Sequence, residues 1–213
     1  MAKKNILKQL KEEEKKKKRN LIMEAAVSLF AKKSPDEIHL KDIAGELGIS
    51  APTIYQYFES RDDLFVEIFN KAIQDVVGYV EKKIIEEKDE SLEAIIRHGL
   101  HFFMGNEGGF QIITYFMVKN NIPEDILVKA KSAISNVFHI IEDGFKELGI
   151  KGNSLILIHT LFAAMTAGLL IYRNYPGYNK DDVDSIIHDF ATLSSRAFKK
   201  KADFRSESSK VAK

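Results

Sequence analysis

Apolar residues recur three and four positions apart along almost the whole chain, and no stretch of useful length alternates with period two. That pattern admits helices and leaves no candidate strand. Leu21, Ile22, Ala25, Ala26, Leu29 and Phe30 predict a first helix ending near Lys32-Lys33, ahead of Ser34-Pro35. Leu40, Ile43, Ala44 and Leu47 predict a second, short one closed by Gly48. Ser50 is suited to cap a third, where Pro52 falls in the first turn and its missing N–H costs no bond; Ile54 and Phe58 are its inward positions. Ser60-Arg61-Asp62-Asp63 reads as a capping box opening a long fourth helix. Further helices are expected from about Ser91 to Met104, Phe110 to Asn120, Pro123 to Gly149, over 154–173 up to a stop at Pro176-Gly177, and from about Asp181 to Lys200. Gly105 and Gly108-Gly109 read as a loop between two of them. The expectation is an all-α chain of about nine helices without internal repeats.

Composition narrows the class. The chain has 213 residues, 45% of them hydrophobic, which is enough for a packed core. It has no cysteine, which removes disulfides, thiolate metal sites and cysteine nucleophiles together and fits a reducing, cytoplasmic setting. The N-terminus is basic and then amphipathic, without the apolar core of a signal peptide. The longest apolar stretch, Leu155 to Tyr172, is broken by His159, Thr160 and Thr166, so it reads as a buried helix and no membrane partner is expected. Net charge is only +1, but residues 1–61 carry 13 Lys+Arg against 9 Asp+Glu, while the rest carries 19 against 22. Lys15-Lys16-Lys17-Lys18-Arg19 concentrates that positive field. Such a run suits either a solvated tail or an arm that neutralises phosphates.

Two short helices joined by a tight turn with Gly are the helix-turn-helix arrangement. The segment from Leu40 to Phe58 fits it. Ala44 is small where the helices must approach, Gly48 can take the left-handed conformation, Ile49 is placed to plug the corner and Ile54 to anchor the third helix. Ala51, Pro52, Thr53, Tyr55, Gln56 and Tyr57 then have little to bury against. Hydroxyls of Thr53, Tyr55 and Tyr57 can donate to phosphates, Gln56 can pair with an adenine edge, and Ala51 or Pro52 can pack on a thymine methyl. Taken singly, the two tyrosines read equally as ordinary surface aromatics.

The same residues resemble a known family. Ala25-Ala-Val-Ser-Leu-Phe30, Asp42-Ile-Ala44, Gly48-Ile-Ser50, Thr53-Ile-Tyr-Gln-Tyr-Phe58 and Arg61-Asp-Asp-Leu64 look like the N-terminal domain of TetR-family repressors, over roughly residues 15–70. The resemblance implies a homodimer on a palindromic double-stranded DNA operator, a recognition helix over about Ala51–Tyr57, and release when a small-molecule effector enters the C-terminal domain. It matches Lys41 and Gln56 to base-reaching positions, Ala51 and Pro52 to base or methyl contacts, and Thr53, Tyr55, Tyr57 and Arg61 to phosphate contacts. The candidate DNA-binding set is Lys41, Ser50, Ala51, Pro52, Thr53, Tyr55, Gln56, Tyr57 and Arg61. Ser34-Pro35 and His39 depart from the family pattern outside the recognition helix.

The organisation expected is a basic extension over 1–14, a helix-turn-helix domain over 15–62, a ligand-binding and dimerisation domain over 63–203 and a disordered tail over 204–213. The C-terminal part shows no nucleophile elbow and no phosphate loop, so no enzyme and no cofactor is expected. His98 and His101 stand three apart on one helix, a spacing able to chelate a metal, but no third ligand is evident and no metal site is assigned. Phe102, Phe103, Phe110, Phe116, Met117, Phe138, His139, His159, Phe162 and Met165 form the candidate pocket for a hydrophobic or amphipathic effector. The same inventory would serve a solidly packed bundle, and then the chain would be a DNA-binding protein without a ligand, acting architecturally or through a protein partner. Small residues Ala163, Ala164, Ala167 and Gly168, with the apolar last helix, suit a four-helix dimer interface.

Overall fold

The computed structural model describes residues 2–147, 149, 154–173 and 179–211, which form helices and the turns between them with no strand among them. Nine α-helices and a short 3-10 helix (Pro35–Glu37) follow in order: α1 (Ala2–Phe30), α2 (Leu40–Glu46), α3 (Ala51–Ile54), α4 (Arg61–Glu87), α5 (Leu92–Gly105), α6 (Glu107–Val118), α7 (Glu124–Glu147), α8 (Ser154–Arg173) and α9 (Lys180–Val211). The all-α expectation holds. Two differences concern helix ends. The cationic run Lys15–Arg19 lies within α1, and α9 runs past Lys200, where the apolar pattern stops. The stop expected at Pro176-Gly177 lies outside the described residues.

The helices form two compact units. The first takes the chain up to Ala72 together with Glu107–Ala130; the second takes Ile73–Asn106 and the chain from Lys131 onward. Both α4 and α7 begin in the first unit and continue into the second. In the first unit the core is Ile22, Ala26 and Phe30 of α1, Ile43 and Ala44 of α2, Ile54, Phe58, and Leu64 and Phe65 of α4, with Ile112 of α6; all are essentially without accessible surface. Phe30 meets Phe65 edge-on with ring centroids 4.9 Å apart, and Phe65 meets Tyr115 at 5.9 Å, a geometry that satisfies the ring quadrupoles. The second unit is built on α5, which packs on α8 and α9. Leu92, Ile96 and Leu100 of α5 are buried, as are Ile158 and Leu161 of α8 and Ile187 and Ala191 of α9. Thr192 donates a 2.9 Å hydrogen bond to the Glu93 carboxylate across that packing.

The glycine-rich stretch expected as a loop is instead helical. Gly105 closes α5, Asn106 alone separates the helices, and Gly108 and Gly109 are buried in the first turn of α6. The reason lies on another helix. A Cβ at Gly108 would overlap the Val27 carbonyl oxygen and stand 2.7 Å from Val27 Cγ1, so α6 reaches the backbone of α1 only because that side chain is missing. Because the obstacle is backbone, it cannot swing aside. Gly108→Ala is expected to destabilise the protein by about 1–3 kcal/mol, and Gly105→Ala, in open space, to cost nothing; urea unfolding of the two variants checks the contrast.

Candidate nucleic-acid interface

The turn between α2 and α3 is fixed by backbone geometry. Gly48 has φ +65°, a conformation any side chain would strain. Its amide donates to the Gly45 carbonyl (3.2 Å), and the Ile49 amide donates to Ala44 (3.0 Å), the paired bonds of a Schellman motif that close α2. Ile49 does not plug the corner as expected: it is 37% exposed, and the sealing falls to Ala44 and Ile54. At the start of α2 the His39 amide donates to Asp42 Oδ2 (2.8 Å), so the carboxylate at the third helical position satisfies the backbone at the helix's N-terminus.

Ser50 stands at the N-cap of α3 with extended backbone, but its hydroxyl lies 2.8 Å from that of Thr53 rather than on an amide. The helical bonding continues past Ile54: Tyr57 and Phe58 amides both donate to the Ile54 carbonyl, at 2.9 and 3.1 Å. Ile54 and Phe58 face inward, four apart, and are fully buried. Period 3.6 then turns the intervening residues outward. Lys41, Ser50, Pro52, Tyr55 and Gln56 are exposed, Tyr55 at 59%, and Ala51, Thr53 and Tyr57 are half-buried. Eight of the nine candidate residues are thus wholly or partly accessible, carrying hydroxyls, an amide and one lysine.

Arg61 is placed differently. Its guanidinium donates to the Ile38 carbonyl (3.2 Å) and to the Tyr115 hydroxyl (3.4 Å), and lies over the Phe65 ring at 5.1 Å. Lys119 donates to the same Tyr115 hydroxyl and stands 3.8 Å from Asp62. Asp63 is buried at the head of α4. Its carboxylate accepts from the Glu59 amide (3.1 Å) and from Lys129 Nζ (2.5 Å), while its amide donates to Ser60 Oγ (3.0 Å). Tyr115, Lys119 and Lys129 had no place in the sequence-derived site, since on their own helices they read as ordinary surface or core positions.

The candidate pocket residues are divided between the two units. Phe110, Phe116 and Met117 belong to the first unit, where Phe116 packs on Phe69 (4.9 Å) and Met117 is exposed. The others belong to the second. There Phe138 meets His159 at 5.2 Å and Phe162 at 6.5 Å, Phe102 meets Phe103 at 5.3 Å, Met165 lies against Gly99, and His139 and His159 are exposed. A small apolar crevice in that unit, lined by Leu100, Met104, Leu169, Tyr172, Ile187 and Phe190 among others, encloses about 10 Å³, room for one water. His98 lies 3.0 Å from Glu87, and His101 3.6 Å from Asp184. Among the described residues no group of three or more His, Asp or Glu is placed to hold a metal ion.

A recognition surface held out on a short helix behind a Schellman turn, with a second helical unit on the same chain, defines a helix-turn-helix DNA-binding protein. Residues 22–68 match the family model of bacterial regulatory proteins, tetR family. That match covers the helix-turn-helix segment, so the similarity to the TetR family lies in the N-terminal part of the chain. A fatty acid metabolism regulator protein of Bacillus subtilis (strain 168) is 22% identical over 135 residues, spanning 63% of this chain and 69% of that protein. The solved structure of the regulator FadR from Bacillus subtilis in complex with stearoyl-CoA is similar with a TM-score of 0.63 at 16% identity, over 82% of this chain and 96% of that one. The TetR family regulator PfmR from Thermus thermophilus gives 0.62 at 17%, over 82% and 97%. At such identities the structures establish a shared fold.

Asp63 makes part of the interface's support sensitive to acid. Burial pushes its carboxyl pKa up, but hydrogen bonds from Lys129 and the Glu59 amide and the charges of Lys129 and Arg19 outweigh that and hold it below the usual carboxylate value. A lowered folded pKa contributes stability above the ordinary carboxylate pKa and loses it as pH falls through the folded one. Asp63→Asn is therefore expected to cost about 1–3 kcal/mol at neutral pH and much less in acid, below the usual carboxylate range; thermal melts across pH check it.

Proposed function

We propose that this chain is a repressor that binds a palindromic operator as a homodimer and is released by an amphipathic effector of the long-chain acyl-CoA class. The observation that carries the DNA half is the accessible row Ser50, Pro52, Tyr55 and Gln56 set on a helix whose opposite side, Ile54 and Phe58, is wholly buried. Gln56 reads an adenine edge and Ala51 or Pro52 a thymine methyl, while Thr53, Tyr55 and Tyr57 donate to phosphates and Lys41 extends the contact from α2. Arg61 joins the phosphate contacts only by leaving Ile38 and Tyr115.

The dimer is supported by α8. Ile156, Leu170 and Ile171 are half or more exposed, Ala163 and Ala167 lie open beside them, and Leu193 of α9 is 71% exposed. A helix with that much unburied apolar surface gains from a second copy. Two recognition helices would then sit about 34–36 Å apart. The effector class is supported by the relatives: one is a fatty acid metabolism regulator, and a similarly folded one holds stearoyl-CoA. Phe138, His159, Phe162 and Met165 of the second unit supply apolar and imidazole surface for such a ligand. The domain limits are proposed at 15–62 for DNA binding and 63–203 for ligand and dimer, and the setting is the cytoplasm; no described helix is long and apolar enough to cross a membrane.

A second reading rests on the crevice in the second unit, whose 10 Å³ admits no effector. On that reading, control would come from a protein partner and not from a ligand. Stearoyl-CoA added to a complex with a duplex selected from random DNA separates the two. The first reading expects release by stearoyl-CoA and not by CoA alone, with coupling of ~1–3 kcal/mol; retention at saturating stearoyl-CoA favours the second. With the same duplex, Gln56→Ala is expected to relax one base position per half-site, and an unchanged consensus would reject its reading role. Sedimentation should give twice the 24.2 kDa chain mass and Leu170→Glu the single mass; a parent of single mass at micromolar concentration contradicts the dimer.

A further inference from the structure

Arg19 is the last residue of the cationic run, and by charge alone it would be counted with the four lysines before it. Its surroundings set it apart. Lys15 to Lys18 are exposed on α1, and Lys18 is paired 2.7 Å from Glu14 on its own helix. Arg19 is half-buried and turned toward the end of the recognition helix. One arm of its guanidinium donates to the Tyr57 backbone carbonyl and the other to the Glu67 carboxylate of α4. The plane of the group lies over the Phe58 ring, 4.3 Å from its centroid.

These three partners occupy the one stretch where the reading surface is joined to the rest of the domain. Tyr57 ends that surface, Phe58 is its buried anchor, and Glu67 lies on the helix that follows it. A planar fork of fixed geometry can hold a carbonyl and a carboxylate at once, which a lysine cannot do. The Tyr57 carbonyl lies past the last residue of α3, so the fork also satisfies an acceptor that the short helix leaves open. Among the described residues of α1, no other side chain donates a hydrogen bond to that end of the surface.

We infer that Arg19 is a positioning residue: it sets the pitch at which Tyr55 and Gln56 meet the groove, and it is not a phosphate contact. This rests on the DNA-binding reading of the α3 surface. The consequence is opposite to what charge counting gives. Removing the negative charge of Glu67 should strengthen DNA binding if only the field mattered, whereas loosening the fork should blunt the distinction between preferred and unrelated duplex.

The test uses the full chain, a duplex selected from random DNA, an unrelated duplex, and affinities measured across a range of salt. For Arg19→Gln and for Glu67→Gln the preference for the selected duplex is expected to fall roughly tenfold or more, the scale of one lost base pairing. Affinity for the unrelated duplex and the salt slope should stay at the parent's values. A slope lowered by about 0.9 per contact, with both affinities falling together, would make Arg19 a phosphate contact. Equal gains on both duplexes for Glu67→Gln, or no change in either variant, would likewise overturn the inference. Should Arg19→Gln fail to fold, Glu67→Gln decides alone. A parent chain that holds neither duplex at low salt brings down the DNA reading and this inference with it, while a binding parent with indifferent variants sinks the inference only.

Discussion

A helix of four residues cannot hold itself together in water, because fixing its first turn costs more than its single bond returns. The surface that α3 offers therefore exists only through the burial of Ile54 and Phe58, both without accessible area. Burying two such side chains is worth about 1.5–3 kcal/mol each, and the Schellman bonds at Gly48 and Ile49 aim the helix so that they can be buried. With one side of the helix pinned, the opposite side must face solvent, and that side carries Pro52, Tyr55 and Gln56. The exposure of those side chains is a by-product of packing.

The packing that pins α3 is not supplied by the first sixty residues alone. Ile112 of α6 is in the same core, Tyr115 closes on Phe65 and Arg61, and Lys129 of α7 reaches the buried Asp63. Gly108 brings α6 down to the backbone of α1. Because α4 and α7 each run from the first unit into the second, helices of the second unit are continuous with the supports of the reading surface.

How much of this was readable beforehand follows the range of the interactions. The Gly48 turn, the inward pair Ile54 and Phe58, and the capping residues around Ser60 and Asp63 depend on neighbours within one or two turns, and the sequence displays them directly. The class of fold was legible for the same reason. The helical burial of Gly108 and Gly109 was not, because its cause is Val27 on another helix; local pattern reads glycines in series as a break. The partition of the aromatic residues between two units was hidden too. Composition records that Phe110, Phe116 and Phe138 are present, not which core each one fills. Ile49 misled in a smaller way, since a turn residue of the right type turned out to lie outside the corner it seemed made for. Arg19 is the sharpest case: the sequence shows a fifth cation in a run, and only the fold shows that its partners are Tyr57, Phe58 and Glu67.

The central claim is that the outward side of the helix behind Gly48 is where duplex DNA is held. Amide hydrogen exchange of the full chain, with and without a retained duplex, measures this directly. Protection gained over Gly48 to Phe58, with α8 and α9 unchanged, is the result expected. A bound duplex that leaves those amides exchanging as in the free protein, or that protects a different helix in their place, would contradict the account.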